Sequence, residues 1–333
     1  MVVAPPVRWG IVATGNISRA FTRDVSVLAG ARVTAVASRS LENAEKFGAE
    51  FGIPSRYGEY AALVADPDVD VVYIGTPHPQ HYAIARAALR SGKAVLCEKP
   101  VTMNARQARD LVTVARSAGV FFAEAMWMRA NPLIRSLYDD IRAGVIGEPL
   151  QVLADFGFTA PELPPRLLLP ELGGGALLDL GIYPATFAYA ALGRPAEVKA
   201  VADLSELGVD LQTAMVWRYD SGAVAALTCG MRSDSPGTAS VSGTEGSLLV
   251  PAHFFNPSHY VRRTAAGSER VELAPAGTGY QHEAAEVMRS VRAGLVESPL
   301  FPHDDTVAIL ELLDDVRRQI GVVYPSDEEW LGS

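Results

Sequence analysis

The chain has 333 residues, 49% of them hydrophobic and 20% charged, and this length and balance predict two folded domains with substantial cores. Its formal net charge of −9 argues against nucleic acid or an anionic membrane as the main partner, and we find neither a signal peptide nor a run of roughly 18 apolar residues. The two cysteines, Cys97 and Cys229, lie in apolar surroundings, which indicates buried thiols and a reducing, cytoplasmic environment.

The first 125 residues alternate between short apolar runs and segments of helical periodicity. Continuously apolar strands between helices are typical of a parallel sheet covered on both faces. Residues 1–125 are therefore predicted to form a doubly wound, dinucleotide-binding Rossmann domain. The predicted strands are 7–12, 33–37, 69–74, 94–97 and 120–123, and the predicted helices are 17–28, 41–51, 82–89 and 105–118.

The pattern changes after residue 125. A proline-rich loop, 159–172, is either a lid or a plain surface connection, and a helix begins after the three glycines 173–175. The following strands are separated by turn sequences, which predicts successive hairpins. Residues 126–333 are thus predicted to be an α+β domain with a mostly antiparallel sheet. Its strands are 150–158, 197–204, 211–219, 222–230, 237–243 and 246–250, and its helices include 132–143, 281–294 and 304–320.

A small-residue turn follows the first strand. In GIVATGNIS, residues 10–18, the glycine spacing of a dinucleotide fingerprint falls on Ala13, Gly15 and Ser18, so only the middle glycine is kept. A plain strand-to-helix turn would also explain these residues. The alternation of strands and helices favours a pyrophosphate site at the helix N-terminus, formed by Ala13, Gly15, Asn16 and Ile17.

The end of the second strand carries Ser38 and Arg39 where an NAD site usually has an acidic residue. A guanidinium with neighbouring hydroxyls suits a 2′-phosphate, so we expect NADP, with NAD possible; the alternative is a solvated surface charge.

The third strand-to-helix junction reads GTPHPQHY, residues 75–82. Two histidines without a nearby set of carboxylates or cysteines make a poor metal site, and no metal is predicted. Thr76, Pro77, His78 and His81 are instead predicted to line the nicotinamide and its ribose.

Lys99 follows the fourth predicted strand, at the carboxyl edge where open α/β sheets bind ligands. Asp179 and Tyr183 are four residues apart and share one face of a predicted helix. A phenol has a pKa near 10 in water, and a neighbouring ammonium lowers it, so these three residues could form a proton-transfer centre. The alternatives are a surface lysine and an ordinary packed helix face.

Several of these stretches together resemble the glucose–fructose oxidoreductase / inositol dehydrogenase / MocA (Gfo/Idh/MocA) family, within it the branch of dimeric dihydrodiol dehydrogenases and NADP-dependent D-xylose dehydrogenases. The resemblance covers nearly the whole chain. It is carried by RWGIV (8–12), HPQH (78–81), GKAVLCEKP (92–100), EAMWMR (124–129), GGGALLDLGIY (173–183), SVSGTEG (240–246) and RRQIGVVYP (317–325).

The resemblance implies roles for the chemical groups. Lys99 would hold the nicotinamide ribose and the reacting substrate oxygen, and Glu98 belongs to the same cofactor-binding motif. Tyr183 would be the general acid/base, and Asp179 would orient the substrate or the lysine. The resemblance also implies a cis bond at Lys99–Pro100 and a homodimer formed through the open face of the second domain's sheet, segments 197–250.

The substrate is predicted to be a sugar, a polyol or a cyclic trans-diol. Trp127 and Arg129 follow the last strand of the first domain, and Phe156 and Phe158 end the first strand of the second; with Tyr183 they are the predicted substrate contacts, although ordinary packing would explain the first four. A keto-sugar reductase of deoxysugar or natural-product assembly would use the same site. A non-catalytic NADP-sensing regulator would not need the proton-transfer groups.

Overall fold

The computed structural model describes residues 5–273 and 277–328, which divide into two compact units. The first unit comprises Met1–Thr102, Arg106–Ala130 and Ala276–Thr306, and the second comprises Met103–Ala105, Asn131–Pro275 and Val307–Ser333. The units are therefore not continuous along the chain, since Ala276–Thr306, which lies beyond the predicted boundary at residue 125, groups with the first.

The first unit is built on a parallel sheet of six strands in the order β3-β2-β1-β4-β5-β6. Chain order reverses on either side of β1, which is the arrangement of a doubly wound sheet. The strands are β1 (Val7–Val12), β2 (Ala31–Ala37), β3 (Ser55–Tyr57), β4 (Val71–Ile74), β5 (Ala94–Glu98) and β6 (Phe122–Ala125).

The second unit has a mixed sheet of eight strands in the order β14-β13-β12-β11-β7-β10-β9-β8. The β7–β10 pair is parallel, and the other pairs are antiparallel. The strands are β7 (Pro149–Gly157), β8 (Glu197–Leu204), β9 (Asp210–Arg218), β10 (Val224–Gly230), β11 (Ala239–Gly243), β12 (Gly246–Val250), β13 (His259–Thr264) and β14 (Gly267–Glu272).

The described residues also form α-helices. In chain order they are α1 (Asn16–Ser26), α2 (Leu41–Phe51), α3 (Tyr60–Ala65), α4 (His78–Arg90), α5 (Ala105–Ala118), α6 (Pro132–Arg142), α7 (Pro165–Leu168), α8 (Ile182–Leu192), α9 (Tyr280–Arg292), α10 (His303–Ile320) and α11 (Pro325–Glu328). A 3₁₀-helix covers Trp127–Ala130, a second covers Pro170–Leu172, and a π-helical turn, Leu177–Gly181, leads directly into α8.

The core of the first unit shows why most residues of its strands are apolar. Phe21 of α1 stacks on Tyr73 of β4 with ring centroids 3.7 Å apart, and Trp9 of β1 packs edge-on against the same phenylalanine. Helix α9, from far along the chain, adds Val287 and Met288 to this core. Burying such side chains contributes roughly 1.5–3 kcal/mol each.

Both predicted sheets are confirmed, the parallel doubly wound one and the mostly antiparallel one. Elements that the sequence analysis did not predict are short or polar: β3 has three residues, and the hairpin of β13 and β14 reads HYVRRT and GSERVE with little apolar alternation.

Candidate active site

The turn after β1 adopts the conformation that a dinucleotide fingerprint requires. Ala13 stands at the first glycine position and has φ +81°, in the left-handed region, while its N–H donates to the carbonyl of Ala37 at 2.9 Å. An alanine in this conformation costs roughly 1–2 kcal/mol compared with its preferred regions. The backbone thus keeps the shape of the fingerprint although the first glycine is absent.

The third glycine position is Ser18, which is buried at the start of α1. Close helix-to-strand packing is kept because the residue facing it is Gly75, just after β4. A Cβ at Gly75 would lie 2.6 Å from the Ser18 hydroxyl oxygen, so no other residue fits there without displacement. The glycine that the helix lacks is therefore supplied by the residue that follows β4.

The middle position, Gly15, fits a pyrophosphate. Gly15 is the N-cap of α1 and supplies no capping side chain, and a Cβ added there would meet nothing within 4 Å among the described residues. The first N–H groups of α1, those of Asn16 and Ile17 among them, are therefore open to an anion, which the helix dipole favours. The residues present fit a nicotinamide dinucleotide.

The end of β2 presents an exposed cation. Ser38 is buried, and Ser40 caps α2 by accepting a hydrogen bond from the Asn43 N–H at 3.4 Å. Between them Arg39 is exposed and hydrogen-bonds Tyr60. No carboxylate follows β2 at the position that would hold ribose hydroxyls in an NAD site.

The loop after β4 is tied to the loop after β5 by one histidine. His81 is completely buried, with Nε2 2.8 Å from the Thr76 carbonyl oxygen and Nδ1 2.9 Å from the Pro100 carbonyl oxygen. The Thr76 hydroxyl is buried without a hydrogen-bond partner among residues 5–273 and 277–328. Pro77 and His78 begin the same helix, α4, with the His78 ring 5.7 Å from that of His81.

Lys99 follows β5 and is partly exposed, and its bond to Pro100 is cis, as predicted. The preceding residue, Glu98, is buried and accepts a hydrogen bond from the Tyr73 hydroxyl at 2.6 Å. Burial, with the neighbouring carboxylate second, raises the pKa of Tyr73 well above its usual value, so this phenol stays a neutral donor.

These segments share one edge of the first unit's sheet. The turns at Ala13, Ser38, Thr76 and Lys99 follow the carboxyl ends of β1, β2, β4 and β5, which are neighbours in the sheet. The structure therefore brings the predicted cofactor residues together at the point where the strand order reverses, the place where such sheets bind ligands.

In the second unit, the π-helical turn and α8 carry Asp179 and Tyr183. Both residues are buried, and the Arg166 guanidinium lies 3.3 Å from Asp179 Oδ2. Arg166 belongs to α7, inside the predicted loop 159–172, so that loop contributes a cation to this carboxylate. π-Helical turns occur often at functional sites.

The start of the π-helical turn is held by a buried carboxylate and by glycine. Asp210 Oδ2 accepts from the Leu177 N–H at 2.8 Å and from the Thr213 hydroxyl at 2.7 Å. Gly174 packs against the backbone of Leu167, and a Cβ there would lie 2.8 Å from it. Gly175 has φ +115°, which favours glycine. Gly174 and Gly175 therefore serve the sharp entry into this helix.

Tyr183 lies in an aromatic cluster. Its ring centroid is 5.5 Å from that of Phe156 and 5.4 Å from that of Phe255, and these two phenylalanines stack 4.5 Å apart. Phe158 has no ring contact among the described residues, and its N–H donates to the Gly230 carbonyl. The phenylalanine that stacks on Phe156 is therefore Phe255 and not Phe158, the other phenylalanine predicted for the aromatic wall.

The two other predicted substrate contacts have partners within the first unit. Trp127 stacks on Tyr280 with centroids 4.4 Å apart, and Arg129 forms an ion pair with Asp305 at 2.5 Å. Their part in substrate binding stays a prediction, as does the joint action of Lys99 with Tyr183 and Asp179.

Sequence reasoning missed two residues that the structure makes prominent. Glu124 is a buried carboxylate on β6 that accepts from the Val101 N–H at 2.9 Å, and a lone charge within the apolar run FFAEAM was the available signal. Phe255 lies in the loop after β12, two residues after His253, which has φ +62°. An aromatic pair in a loop gave no periodicity to detect.

No group of three or more metal-binding side chains is found in the part of the chain that the structure describes. One described stretch, Pro170–Leu192, has the length and apolar composition of a membrane span, and 78% of its most apolar 18 residues is buried inside the protein.

Two family models match the chain. The first, an oxidoreductase family with an NAD-binding Rossmann fold, covers residues 7–126, and the second, the GFO/IDH/MocA C-terminal domain, covers residues 134–249. Among curated relatives, the trans-1,2-dihydrobenzene-1,2-diol dehydrogenase of Mus musculus is 38% identical over 96% of this chain and 99% of its own length. The Homo sapiens enzyme of the same name is 36% identical with the same coverage.

Solved structures of oxidoreductases also match the chain. A 3-ketoreductase from Actinomadura kijaniata, in complex with NADP and TDP-benzene, matches with a TM-score of 0.84 and 29% identity, covering 96% of this chain and 99% of its own. Variants of that enzyme also match, in which a lysine is replaced by alanine or glutamate, or a tyrosine 84 positions later by phenylalanine. The chain therefore belongs to the Gfo/Idh/MocA family of nicotinamide-dependent oxidoreductases.

Proposed function

We propose that this enzyme is an NADP-dependent dehydrogenase of a secondary alcohol in a cyclic trans-diol, a sugar or a polyol. The observation that carries the proposal is its similarity, over 96% of the chain, to dehydrogenases of trans-1,2-dihydrobenzene-1,2-diol. A sugar is included beside the cyclic diol because the aromatic cluster of Phe156 and Phe255 suits the apolar face of a sugar ring as well as that of a diol ring.

Tyr183 is proposed as the general acid/base and Lys99 as the group that binds the substrate oxygen. Their separation supports the assignment: Lys99 and Tyr183 are 84 positions apart, like the lysine and the tyrosine replaced in the ketoreductase variants. Asp179, held by Arg166, would orient the substrate.

The proton and the hydride must leave the alcohol by different routes. A bound nicotinamide dinucleotide, held by the residues around Gly15, would supply the acceptor for the hydride of the carbinol carbon. Tyr183, as the phenolate, would take the hydroxyl proton as the C–O bond becomes a carbonyl, and the resulting phenol would return a proton to the oxygen in the reverse direction. The Lys99 ammonium stabilises the negative charge that develops on that oxygen.

The function is tested by measuring turnover of trans-1,2-dihydrobenzene-1,2-diol, D-xylose and a set of polyols and keto-sugars with NADP(H) and NAD(H). We expect turnover of at least one secondary alcohol with NADP⁺. No turnover with any alcohol or ketone would contradict the proposal.

Arg39 is proposed to bind the 2′-phosphate of NADP. We expect Arg39→Ala to raise KM for NADP⁺ by roughly 10–100-fold, because a charge-assisted phosphate contact is lost, while KM for NAD⁺ changes little. Steady-state kinetics with both cofactors measure this. Arg23→Ala, an exposed arginine on α1, is the control. Equal losses with both cofactors, or none, would remove the phosphate role.

A second candidate function is the reduction of a keto-sugar. It is favoured by the structural match to a 3-ketoreductase crystallised with NADP and TDP-benzene. Under this alternative the same two residues act in the opposite direction, and a nucleotide-linked keto-sugar would be turned over with NADPH while free diols would not.

We also propose that the chain is a homodimer formed through the uncovered face of the second sheet. Helix α8 packs against β7, β10 and β11 on one face. The other face exposes apolar side chains, including Val201 (72% exposed) on β8, Val216 (49%) on β9 and Leu153 (44%) on β7.

Val216→Glu is expected to convert the dimer to a monomer, since it places a charge in a desolvated interface. Light scattering after size exclusion should give a mass falling from about twice 35.5 kDa to 35.5 kDa. Val27→Glu, at an exposed valine in the first unit, should leave the dimer intact. A monomeric parent protein, or a dimeric Val216→Glu variant, would contradict this interface.

A further inference from the structure

One peptide group beside Lys99 is held from both of its edges. The Pro100 carbonyl oxygen lies 2.9 Å from His81 Nδ1, and the Val101 N–H of the same peptide donates to Glu124 Oε1 at 2.9 Å. Both side chains are buried, His81 completely and Glu124 to 4% exposure. A rotation of this peptide would break both hydrogen bonds together.

The two side chains come from different neighbours of β5. His81 lies on α4, which follows β4, and Glu124 lies on β6, where it pairs with Cys97 of β5. The Nε2 atom of His81 also lies 2.8 Å from the Thr76 carbonyl. The backbone next to Lys99 is thereby hydrogen-bonded to a side chain of α4 on one side of β5 and to a side chain of β6 on the other.

The protonation states of His81 and Glu124 determine which hydrogen bonds these two side chains can make. A neutral imidazole has one N–H, so it can donate to only one of its two carbonyl partners, and an imidazolium can donate to both. Burial lowers the pKa of His81, whereas the two carbonyls act in the opposite direction. Burial raises the pKa of Glu124 to about 7, against the effects of the Val101 N–H and the Arg129 and Lys99 cations.

Burying a carboxyl group or an imidazole costs free energy of folding. An apolar residue at the same position in a core would avoid that cost, so the presence of both polar groups indicates a role other than packing. We propose that His81 and Glu124 are positioning residues that clamp the Pro100–Val101 peptide and thereby fix Lys99 where it must act. This inference rests on the proposed role of Lys99. Neither residue touches the reacting atoms under this proposal.

Amide substitutions separate the two contacts of His81. The side-chain nitrogen of asparagine falls close to the position of Nδ1, and that of glutamine close to Nε2. His81→Asn can therefore keep the bond to Pro100, whereas His81→Gln can keep only that to Thr76. Glu124→Gln keeps an acceptor for the Val101 N–H, and Glu124→Ala removes it.

We expect His81→Gln and Glu124→Ala to lower kcat by roughly 10–100-fold at saturating substrate, because displacement of a catalytic group by about 1 Å has effects of this size. His81→Asn and Glu124→Gln should stay within about threefold of the parent enzyme. The assay uses NADP⁺ with trans-1,2-dihydrobenzene-1,2-diol or D-xylose, whichever the parent oxidises faster, and NADPH fluorescence measures cofactor binding.

His303→Asn is the matched control for loss of stability. His303 is the other buried histidine with a described carbonyl partner, at 2.8 Å from the Phe122 oxygen, and it lies in the same unit. Its substitution should lower Tm as much as His81→Gln does but leave kcat unchanged. Where Glu124→Ala fails to fold, Glu124→Asp, which shortens the reach by one methylene, replaces it with the same expectation.

Two results would overturn the clamp: kcat unchanged in both His81→Gln and the shortened Glu124 variant, or equal kcat in His81→Asn and His81→Gln. Failure of the proposed function is distinguishable, since in that case Lys99→Met would itself keep turnover.

Discussion

Replacing Tyr183 with phenylalanine is expected to lower kcat by roughly 10²–10⁴-fold, the usual contribution of a general acid/base. The ring contacts with Phe156 and Phe255 involve the aromatic carbons and remain, so folding and KM should change little. Steady-state kinetics in both directions, with thermal melting of the variant, measure this. The loss should appear in kcat and kcat/KM alike, because a group that acts only in the transition state has been removed.

Tyr219→Phe provides the control for this variant. Tyr219 is also a buried tyrosine of the second unit, and its hydroxyl has no hydrogen-bond partner among the described residues. Removing that hydroxyl should leave kcat unchanged. Turnover by Tyr183→Phe within a few-fold of the parent enzyme would reject Tyr183 as the acid/base.

Lys99→Met should lower kcat by roughly 10²–10³-fold, the usual effect of deleting one group that stabilises charge on a reacting oxygen. Methionine keeps most of the length and apolar stem of lysine, so the substitution removes chiefly the ammonium. If Lys99 also binds the nicotinamide ribose, KM for NADP⁺ should rise as well. Cofactor titration and steady-state kinetics separate the two effects.

A second lysine, next to the opposite end of β5, serves as the matched control. Lys93 immediately precedes β5, and Lys99 immediately follows it. The Lys93 ammonium donates to the carbonyls of Asp66 and Val69, at the opposite edge of the sheet. Lys93→Met should lower stability and leave kcat unchanged; equal losses of kcat in both lysine variants would indicate a general structural effect.

The first unit's sheet could be predicted, except for β3, because its other strands are mostly apolar and alternate with segments of helical periodicity. The cofactor segments could be placed for the same reason, since the carboxyl ends of adjacent parallel strands meet at one edge. The left-handed backbone at Ala13 was not predictable, because alanine ordinarily avoids it. Only the fingerprint spacing pointed to that position.

Contacts between residues that are far apart in the sequence could not be predicted from local patterns. The stacking of Phe255 on Phe156 joins residues about a hundred positions apart, and no local pattern predicts it. The π-helical turn around Asp179 depends on Asp210 and on close packing at Gly174, which periodicity does not report. Tertiary contacts of this kind override local propensity.

The position of α9 has a consequence for how the polypeptide acquires its native state. Because Val287 and Met288 complete the core of a unit whose strands end at residue 125, a ribosome must finish almost the whole polypeptide before that core can close. A truncation at residue 130 would leave an apolar surface open to solvent. Attempts to express the nucleotide-binding unit alone should therefore include a linked segment spanning Ala276–Thr306.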